Sequence, residues 1–403
     1  MPRSLISITR ARELVLEATQ ALSAEEVAID DALGRVLAEE VRAAGDVPPF
    51  PCSAMDGYAV VAGEAGRTLQ IVGESRAGTP SSHRLTDGEA IRISTGAAIP
   101  PGATAVIPQE NVALNGSDAI HTNTASPPGE HIRGAGEDMR ADTVVLGAGT
   151  FLGPVALGAA TAAGVGSVTA TRRPRVAVLC TGDELRAPGE PLGPGEIHNS
   201  NAPMLTGLAQ RAGAVVDPAS RLPDDRDATT RGIGDALASS DVVIITGGVS
   251  VGPHDHVKPA LDLLGVEEVF WSVALQPGKP TWFGVPSEGR PLVFGLPGNP
   301  VSAVVTFSLF VSPALAALQG APSPEPPWAT AVLGEDVARN PKRDQMVRVR
   351  LTEVDGVVRA DLNRAQGSHI LTSLLGADAL AVIPMGEGEL ASGCAVTLHA
   401  LAS

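Results

Sequence analysis

Two glycine-rich turns, each directly after an apolar run, have the pattern best suited to holding a phosphate. The first is Thr246-Gly-Gly-Val-Ser-Val-Gly252, and the second is Gly295-Leu-Pro-Gly-Asn-Pro-Val-Ser302. Glycines such as Gly248 let the backbone approach a ligand, and free N–H groups at a turn or a helix start attract an anion. For the second turn, an ordinary strand-to-helix connection capped by Asn299 explains the pattern equally well. The first turn lacks the Walker lysine and the spacing of a dinucleotide fingerprint.

Acidic side chains follow the neighbouring apolar runs. Asp183 and Glu184 lie in Thr181-Gly-Asp-Glu-Leu185, Asp224 and Asp225 follow the next run, and Asp255 comes just after the first glycine-rich turn. Carboxylates beside a phosphate repel it unless a divalent cation lies between them, and hard oxygen ligands favour Mg²⁺. The pattern predicts a magnesium-bridged anion site. The alternatives are a solvated acidic loop and, for Asp255, a helix N-cap.

Isolated polar turn residues supply the remaining candidates. Lys279, in Gln276-Pro-Gly-Lys-Pro-Thr281, is one cation in an acidic protein. It would meet a phosphate or a similar oxyanion, or it is a surface lysine on an edge hairpin. His254 and His256 flank Asp255 without zinc spacing, which argues against a zinc site. Polar turns in the first third of the chain contain Asp56, Thr95, Arg133 and Asp138.

The section from about 175 to 319 predicts the sheet that positions these turns. Apolar runs at 175–180, 241–246 and 290–296 alternate with segments of helical pattern at 202–211 and 255–264. Such strands are typical of a parallel sheet covered by helices on both faces, which is a three-layer α/β domain. Ligands bind such sheets where the strands' carboxyl ends meet the loops.

The flanking regions have different patterns. Residues 8–21, 28–42 and 153–164 look helical, whereas 48–145 contains short β-like pieces such as 58–61, 69–72, 90–93 and 105–108. A Pro-rich linker at 322–327 precedes alternating runs that predict a small β-barrel. We therefore expect a multidomain α/β protein with four domains: a helical linker domain (1–47 with 146–172), an inserted β-rich domain (48–145), the α/β domain (173–320) and a C-terminal β-barrel (325–403).

Composition limits the classes of function. The 403 residues are 44% hydrophobic and 18% charged, as in globular multidomain proteins, and the formal net charge of −16 argues against binding to nucleic acid or to an anionic membrane. Three cysteines far apart in sequence form no disulfide framework, and the N-terminus has no apolar signal segment; both favour the cytoplasm. The uncharged stretch 301–318 is interpreted as a buried helix rather than a membrane span.

Nine segments, taken in order, resemble the MoeA family of molybdopterin molybdenumtransferases, whose eukaryotic relative is the C-terminal domain of gephyrin. The resemblance spans nearly the whole chain, and the ordered set is far more specific than any one segment. The segments are Pro48-Pro-Phe50, Ser53-Ala-Met-Asp-Gly-Tyr-Ala59, Arg92-Ile-Ser-Thr-Gly96, Ile132-Arg-Gly-Ala-Gly-Glu-Asp138, Thr181-Gly-Asp-Glu-Leu185, Thr246-Gly-Gly-Val-Ser-Val-Gly252, Pro277-Gly-Lys-Pro280, Gly295-Leu-Pro-Gly-Asn-Pro-Val-Ser302 and Gln366-Gly-Ser-His369.

The resemblance implies an elongated four-domain subunit in a homodimer, with each active cleft between one subunit's α/β domain and the partner's N-terminal region. The implied reaction converts molybdate and adenylyl-molybdopterin into molybdenum cofactor and AMP with Mg²⁺. By motif position, Asp183, Glu184, Asp224 and Asp255 would surround ligand and metal. The pterin phosphate and nucleotide would be held by Ser250, Gly252, Gly298 and Asn299. The partner subunit would contribute Asp56, Thr95, Arg133 and Asp138, and the C-terminal domain Ser368.

The chain departs from the family pattern at a few positions. Pro51-Cys52 replaces the usual Asp-Asn, and Ser272 and Gln276 lie where some members have lysines, so the molybdate site has fewer charges. Two other functions fit the resemblance: molybdopterin adenylyltransferase, which performs the preceding step, and a gephyrin-like scaffold that grips a peptide. Candidate protein partners are a molybdopterin adenylyltransferase and the molybdoenzyme apoproteins that receive the cofactor.

Overall fold

The computed structural model describes residues 5–248, 256–323, 329–363 and 365–401. The chain divides into two compact units. The first comprises the described residues of 1–25, 34–38 and 170–403, and the second comprises 26–33 and 39–169. The division into four domains that we expect from the sequence stays a prediction.

A seven-stranded sheet forms the centre of the first unit. Its strands, in spatial order, are Val215–Val216, Arg175–Thr181, Val242–Thr246, Leu292–Leu296, Trp282–Pro286 and Val266–Trp271, with Ser220–Leu222 also paired to Arg175–Thr181. The strands up to Leu292–Leu296 run parallel, as predicted. The last two are antiparallel, because only a short connection without a helix joins them. The sequence analysis predicted only parallel strands, so these two strands depart from it.

Helices cover both faces of this sheet, which confirms the α/β fold class. Successive strand residues point to opposite faces: Val242 and Ile244 belong to one core cluster, and Val243 and Ile245 to the other. The first cluster packs against helices Ile8–Glu17, Asn201–Arg211 and the helix 300–318, and the second against Arg226–Ser239 and Val257–Leu263.

The helix 300–318 consists of Pro300–Thr306, a π-helical turn Phe307–Val311, and Ser312–Leu318. Among the described helices it alone is long and apolar enough to cross a membrane, but 83% of it is buried inside the protein. Its apolar side chains fill the first core cluster. This agrees with our interpretation of the stretch as a core helix.

A closed five-stranded barrel forms the C-terminal part of the first unit, as predicted. Its strands are Ala329–Leu333, Asp344–Val354, Val357–Leu362, Ala379–Ile383 and Ala395–Ala400. The two longest strands meet in a two-residue turn in which Asp355 and Gly356 have φ of 53° and 76°, as an Asp-Gly hairpin requires. Smaller elements are Leu275–Gln276, Val337–Ala338, Glu389–Leu390 and the 3₁₀ turn Leu371–Ser373.

The second unit is rich in β-structure, as predicted. Its main sheet has the order Ala105–Pro108, Gly57–Val60, Glu89–Ile93, Thr68–Ser75, Ala119–Thr122 and Val112–Asn115. The helix Pro154–Ala162 lies where the sequence predicted one. Other elements of the chain are the pairs Cys52–Ser53 with Ile132–Arg133, Val41–Arg42 with Val144–Leu146 and Ala24–Ala28 with Ser167–Thr171, and the 3₁₀ turns Ile29–Asp31 and Gln109–Asn111.

The predicted helix at 28–42 is wrong. The segment contains the short 3₁₀ turn Ile29–Asp31 and ends in the strand Val41–Arg42. Gly34 adopts a φ of 75°, a left-handed conformation that breaks helical hydrogen bonding. Beyond it, Val36 and Leu37 are buried by extended pairing, in which Leu37 faces Ala170. Tertiary pairing therefore overrides the local helical pattern.

Asp241 ties the amino-terminal ends of three central strands together. Its carboxylate accepts hydrogen bonds from Arg172 Nη1 and Nη2 at 2.7 and 2.6 Å and from Arg175 N at 2.8 Å. Its carbonyl accepts a bond from Leu292 N at 3.0 Å. Burial by itself raises the pKa of Asp241, but the hydrogen bonds from Arg172 and from Arg175 N outweigh it and hold that pKa below its ordinary value.

We expect Asp241→Asn to lower the free energy of unfolding by about 2 kcal/mol at neutral pH, since it weakens charge-assisted bonds at a buried position. A depressed carboxyl pKa stabilises the fold above the ordinary carboxyl range, and this contribution disappears as pH falls through the folded-state pKa. The difference between the two proteins should therefore shrink below about pH 4. Urea unfolding across this pH range measures it. Asp217→Asn, which alters an exposed pair with Arg175, should cost less than about 1 kcal/mol; an equal cost would contradict the prediction.

Candidate active site

A cavity of about 450 Å³ lies at the carboxyl ends of three parallel strands, those that end at Thr181, Thr246 and Leu296. Both glycine-rich turns line it, together with the turn after Thr181. The lining residues are Cys180, Thr181, Glu184, Leu185, Ile197, His198, Asn199, Ser200, Asn201, Thr246, Gly247, Gly248, Pro280, Pro297, Gly298, Asn299 and Pro300. The structure thus brings Gly248, Gly298, Asn299 and Glu184 together where the sequence predicted the ligand.

The amide of Asn201 joins the two glycine-rich turns. Its Nδ2 donates to Thr246 Oγ1 at 3.0 Å and to Gly298 O at 2.8 Å. Thr246 Oγ1 in turn donates to Pro297 O at 3.1 Å. These bonds join the start of the helix Asn201–Arg211 to the turns after two strands, so they fix the spacing of the turns around the cavity. The sequence analysis did not identify this role of Asn201.

The first turn requires glycine for two reasons. Gly247 and Gly248 have φ of 85° and 61°, which a residue with a side chain rarely adopts. A Cβ at Gly247 would lie 2.7 Å from Thr181 Oγ1, and one at Gly248 would lie 2.8 Å from Val257 Cγ2. Gly298 differs, because the nearest heavy atom to an added Cβ is 3.9 Å away. Among the described residues nothing blocks a side chain at Gly298.

Two helices begin at the cavity. The helix Asn201–Arg211 and the helix 300–318 place their N-termini there, and both ends carry partial positive charge. Asn299 precedes the second helix but its side chain makes no capping bond. Instead, Asn299 Nδ2 donates to Ser368 Oγ at 3.0 Å, and Val301 N donates to Ser368 O at 3.2 Å. Ser368 of the C-terminal barrel therefore reaches the mouth of the cavity.

A buried arginine, which the sequence analysis did not identify, supports the turn that carries Ser368. Arg348 is 1% exposed and donates to Ala365 O at 2.9 Å, Gly367 O at 3.3 Å and Ser373 Oγ at 3.1 Å. Within the described ranges no carboxylate forms an ion pair with it. Burial lowers the pKa of Arg348. Carbonyl oxygens therefore provide the partners that a counter-ion usually supplies.

The acidic side chains of the turns have separate positions. Glu184 lines the cavity, and its carboxylate folds back over Gly182. Asp183 Oδ1 accepts a hydrogen bond from Asp224 N at 3.3 Å, which links these two turns. Asp225 caps the next helix by accepting from Ala228 N at 2.8 Å, so its role is structural. Among the described residues no three His, Cys, Asp or Glu side chains are grouped closely enough to hold a metal alone.

The lysine turn borders the same cavity through Pro280. Lys279 is exposed, and in the part of the chain that the structure describes it pairs with no carboxylate. Its carbonyl accepts from Val273 N and Thr281 N at 3.0 and 2.9 Å, which closes the turn. Gln276 accepts a bond from Asn340 Nδ2 at 2.6 Å.

Burial raises the pKa of the Cys180 thiol, although a bond from Asn199 opposes this, so the thiol stays protonated.

The second unit has its own group of the predicted residues. Asp56 Oδ1 accepts a hydrogen bond from Thr95 N at 2.7 Å. Arg133 and Asp138 line a cavity of about 510 Å³ together with Val47, Pro48, Cys52 and Glu137. The adjacent pairing of Arg133 with Cys52 and of Ile132 with Ser53 brings the two motifs near each other. Ser250, Gly252 and Asp255 lie outside the described residues and stay predictions.

Three family models match the chain in succession. The model of the MoeA N-terminal region (domain I and II) matches residues 6–164. A probable molybdopterin binding domain matches residues 177–317, and the MoeA C-terminal region (domain IV) matches residues 330–401.

Relatives match over almost the full length. A molybdopterin molybdenumtransferase of Haemophilus influenzae is 34% identical over 98% of this chain and 98% of its own length. Molybdopterin molybdenumtransferase 2 of Mycobacterium tuberculosis is 37% identical over 96% of this chain and 97% of its own. The crystal structure of a molybdopterin biosynthesis MoeA protein from Pyrococcus horikoshii aligns with a TM-score of 0.81 and 32% identity, covering 98% of this chain and all of that one.

The two glycine turns should respond differently to alanine. We expect Gly248→Ala to lower the free energy of unfolding by about 1–3 kcal/mol, because of its φ and the collision with Val257. Gly298→Ala should leave it within about 0.5 kcal/mol but weaken the binding of inorganic phosphate by roughly tenfold, since a methyl group keeps the anion from the backbone. Thermal unfolding and phosphate titration measure both. Gly298→Ala with unchanged phosphate affinity would remove the turn from the binding site.

Proposed function

Since this chain belongs to the MoeA family, and is a transferase of molybdenum cofactor biosynthesis, we propose that its reaction converts molybdate and adenylyl-molybdopterin into molybdenum cofactor and AMP. One observation carries this proposal. Two glycine-rich turns, two helix N-termini and the Glu184 carboxylate converge on a single cavity at the sheet's carboxyl edge. Such a cavity suits a phosphate-bearing ligand that also binds a cation.

The chemistry requires charge stabilisation rather than a protein nucleophile. An oxygen of molybdate attacks the adenylyl phosphorus, and the phosphoanhydride P–O bond to the molybdopterin phosphate breaks. The attacking oxygen leaves with AMP, and molybdenum passes to the pterin dithiolate. The backbone N–H group of Gly248 and the partial positive charges of the helix ends at Asn201 and Pro300 are fixed by the sheet, so they stabilise the departing phosphate without reorganising. The protonated, buried Cys180 takes no part as a nucleophile.

Magnesium fits the carboxylates present. Mg²⁺ in phosphate sites is bound through one or two carboxylates together with substrate oxygens, so a cluster of three protein ligands is not needed. We propose that Glu184 and Asp183, with Asp255, hold the ion. When bound, it neutralises the negative charge of the phosphoanhydride oxygens. Asp183 is already oriented by the N–H of Asp224, which fixes one of its oxygens.

Lys279 is our candidate for molybdate. It is exposed and carries no ion pair in the described structure, and the neighbouring Pro280 lines the cavity. An unpaired ammonium group binds an oxyanion as a point charge. Two side chains offer neutral hydrogen bonds to the same oxyanion. Gln276 is near Lys279 in sequence and is held by Asn340, and Ser368 is held beside Asn299. This arrangement suits a tetrahedral dianion that must also be released.

We further propose a cytoplasmic homodimer in which the second unit of one subunit completes the cavity of the other. The residues it would contribute are Asp56, Thr95, Arg133 and Asp138, which share one region of that unit. The three cysteines are free thiols, as a reducing compartment favours. Proteins that supply adenylyl-molybdopterin or receive the finished cofactor are the expected partners.

The alternative functions are tested by the same assay. An adenylyltransferase would consume ATP in the absence of molybdate, whereas the proposed enzyme would not. A gephyrin-like scaffold would bind a peptide and release no AMP. The glycine turns and Glu184 around one cavity favour the enzyme, because a scaffold needs neither.

We expect Glu184→Gln to reduce AMP release from adenylyl-molybdopterin, molybdate and magnesium by about a hundredfold or more, because it removes a charged metal ligand. Dimerisation, measured by size-exclusion chromatography with light scattering, should stay unchanged. Glu190→Gln is the matched control, since Glu190 is an exposed carboxylate six residues away that only accepts from Ala187 N. Full activity in Glu184→Gln would refute its assignment to the metal.

Mixing two inactive variants tests the proposed dimer. Asp56→Asn and Glu184→Gln, unfolded and refolded together, should recover about a quarter of the native rate, because half of the dimers are mixed and each has one intact site. Each variant refolded alone provides the background. If each site is built from a single subunit, the mixture should stay as inactive as its components.

A further inference from the structure

One buried polar atom at the cavity has no partner. The Asn201 side chain lines the cavity, the residue is 8% exposed, and no donor in the described structure lies within hydrogen-bond distance of Oδ1. The amide orientation is not arbitrary. Gly298 O can only accept a hydrogen bond, so the atom 2.8 Å from it must be Nδ2. The oxygen is therefore the unpartnered atom.

An unpartnered buried acceptor is costly. Leaving a buried acceptor without a donor costs about 1–3 kcal/mol, and native proteins rarely do so without a reason. Two other polar side chains around this cavity are paired: Thr246 Oγ1 bonds to Pro297 O, and Asn199 Oδ1 accepts from Ala202 N. The described residues supply no donor for Asn201 Oδ1, so we look for the donor in what fills the cavity.

The chemistry of the missing partner is restricted. An ionised phosphate oxygen accepts hydrogen bonds and donates none, so it cannot pair with Oδ1. The N–H groups of the turns satisfy the phosphate, and Asn201 Oδ1 requires an N–H or O–H group instead. A ligand that brings both together is an organic phosphate with a hydroxyl, amino or ring N–H group close to its phosphate.

We propose that Asn201 is a specificity-determining residue, whose Oδ1 accepts a hydrogen bond from an N–H or O–H donor on the organic group attached to the bound phosphate. The inference rests on the proposed function and deepens it. The same amide connects the two turns through Nδ2 and accepts a hydrogen bond from the ligand through Oδ1. Aspartate cannot replace it, because a second carboxylate oxygen would face Gly298 O and repel it.

Two sources could supply the donor: the ribose or adenine of the AMP half, and the ring system of the pterin half. Asn201→Ala removes the acceptor and the link between the turns together. Thr246→Val is the matched control, because it removes one bond of that link and leaves Oδ1 in place. We therefore compare the dissociation constants of AMP, molybdopterin and inorganic phosphate for the native protein and both variants, by calorimetric titration.

We expect Asn201→Ala to weaken the binding of AMP or of molybdopterin by roughly tenfold more than it weakens the binding of inorganic phosphate. Thr246→Val should weaken the binding of all three ligands to the same extent. Selective loss of AMP assigns the donor to the nucleotide, and selective loss of molybdopterin assigns it to the pterin. An equal loss of affinity for all three ligands, or no loss, would overturn the proposal. Asn201 would then only connect the two turns or bind a water molecule.

A second measurement avoids any folding defect of the variants. Native protein should bind 2′-deoxy-AMP, 3′-deoxy-AMP or IMP roughly tenfold more weakly than AMP if the nucleotide supplies the donor. Removing that same group from the nucleotide should not weaken its binding to the Asn201→Ala variant. These binding readouts are independent of molybdenum transfer. If AMP release persists but the native protein does not distinguish the AMP analogues and Asn201→Ala shows no selective loss of molybdopterin binding, the inference is rejected and the proposed function stands.

Discussion

An acidic protein that binds an anion cannot rely on its surface charge, and this constraint explains the construction of the site. The formal net charge is −16, and among the described residues no lysine or arginine lines the cavity, although Lys279 is adjacent to the lining residue Pro280. The attraction has to come from backbone N–H groups and helix ends that all point to one place. A parallel sheet provides this, because its strands' carboxyl ends share one edge and the following helices start there. The left-handed glycines Gly247 and Gly248 then bring the turns close enough to share one ligand.

The two edges of the sheet are built for different purposes. At the amino-terminal edge, Asp241 accepts hydrogen bonds from Arg172 and Arg175 and bonds to the neighbouring strand, and Ser240 Oγ beside it is a buried atom without a partner in the described structure. At the carboxyl edge, Asn201 Oδ1 is the buried acceptor without a partner among the described residues, and it belongs to a residue that lines the cavity. Such an acceptor costs free energy in the empty protein and is satisfied only when ligand binds.

Local pattern was sufficient for most of the fold and for placing the two glycine-rich turns at one edge of the sheet. Continuous apolar strands and glycine turns depend on nearby residues, and they appear where the sequence predicted them. Pattern failed where a partner distant in sequence decides the structure. Val36 and Leu37 look helical but pair in extended form, and Asn299 looks like a cap but bonds to Ser368, 69 residues away. The sequence predicted a parallel sheet and did not anticipate the two antiparallel edge strands, whose orientation depends on how the chain connects them.

Within the site, residue type alone predicted charges better than it predicted geometry. Asp183 and Glu184 are neighbours in sequence, yet one is directed to the N–H of Asp224 and the other to the cavity. Asn201 and Arg348 escaped notice for a related reason. Each is a single polar residue in an apolar or helical context, and its importance lies in carbonyls contributed by other turns. Those carbonyls belong to loops from the sheet and the barrel, so both residues couple separate folding elements to one cavity. A change in the barrel that moved Ala365 or Gly367 would therefore act on Ser368 and Asn299 without touching the ligand.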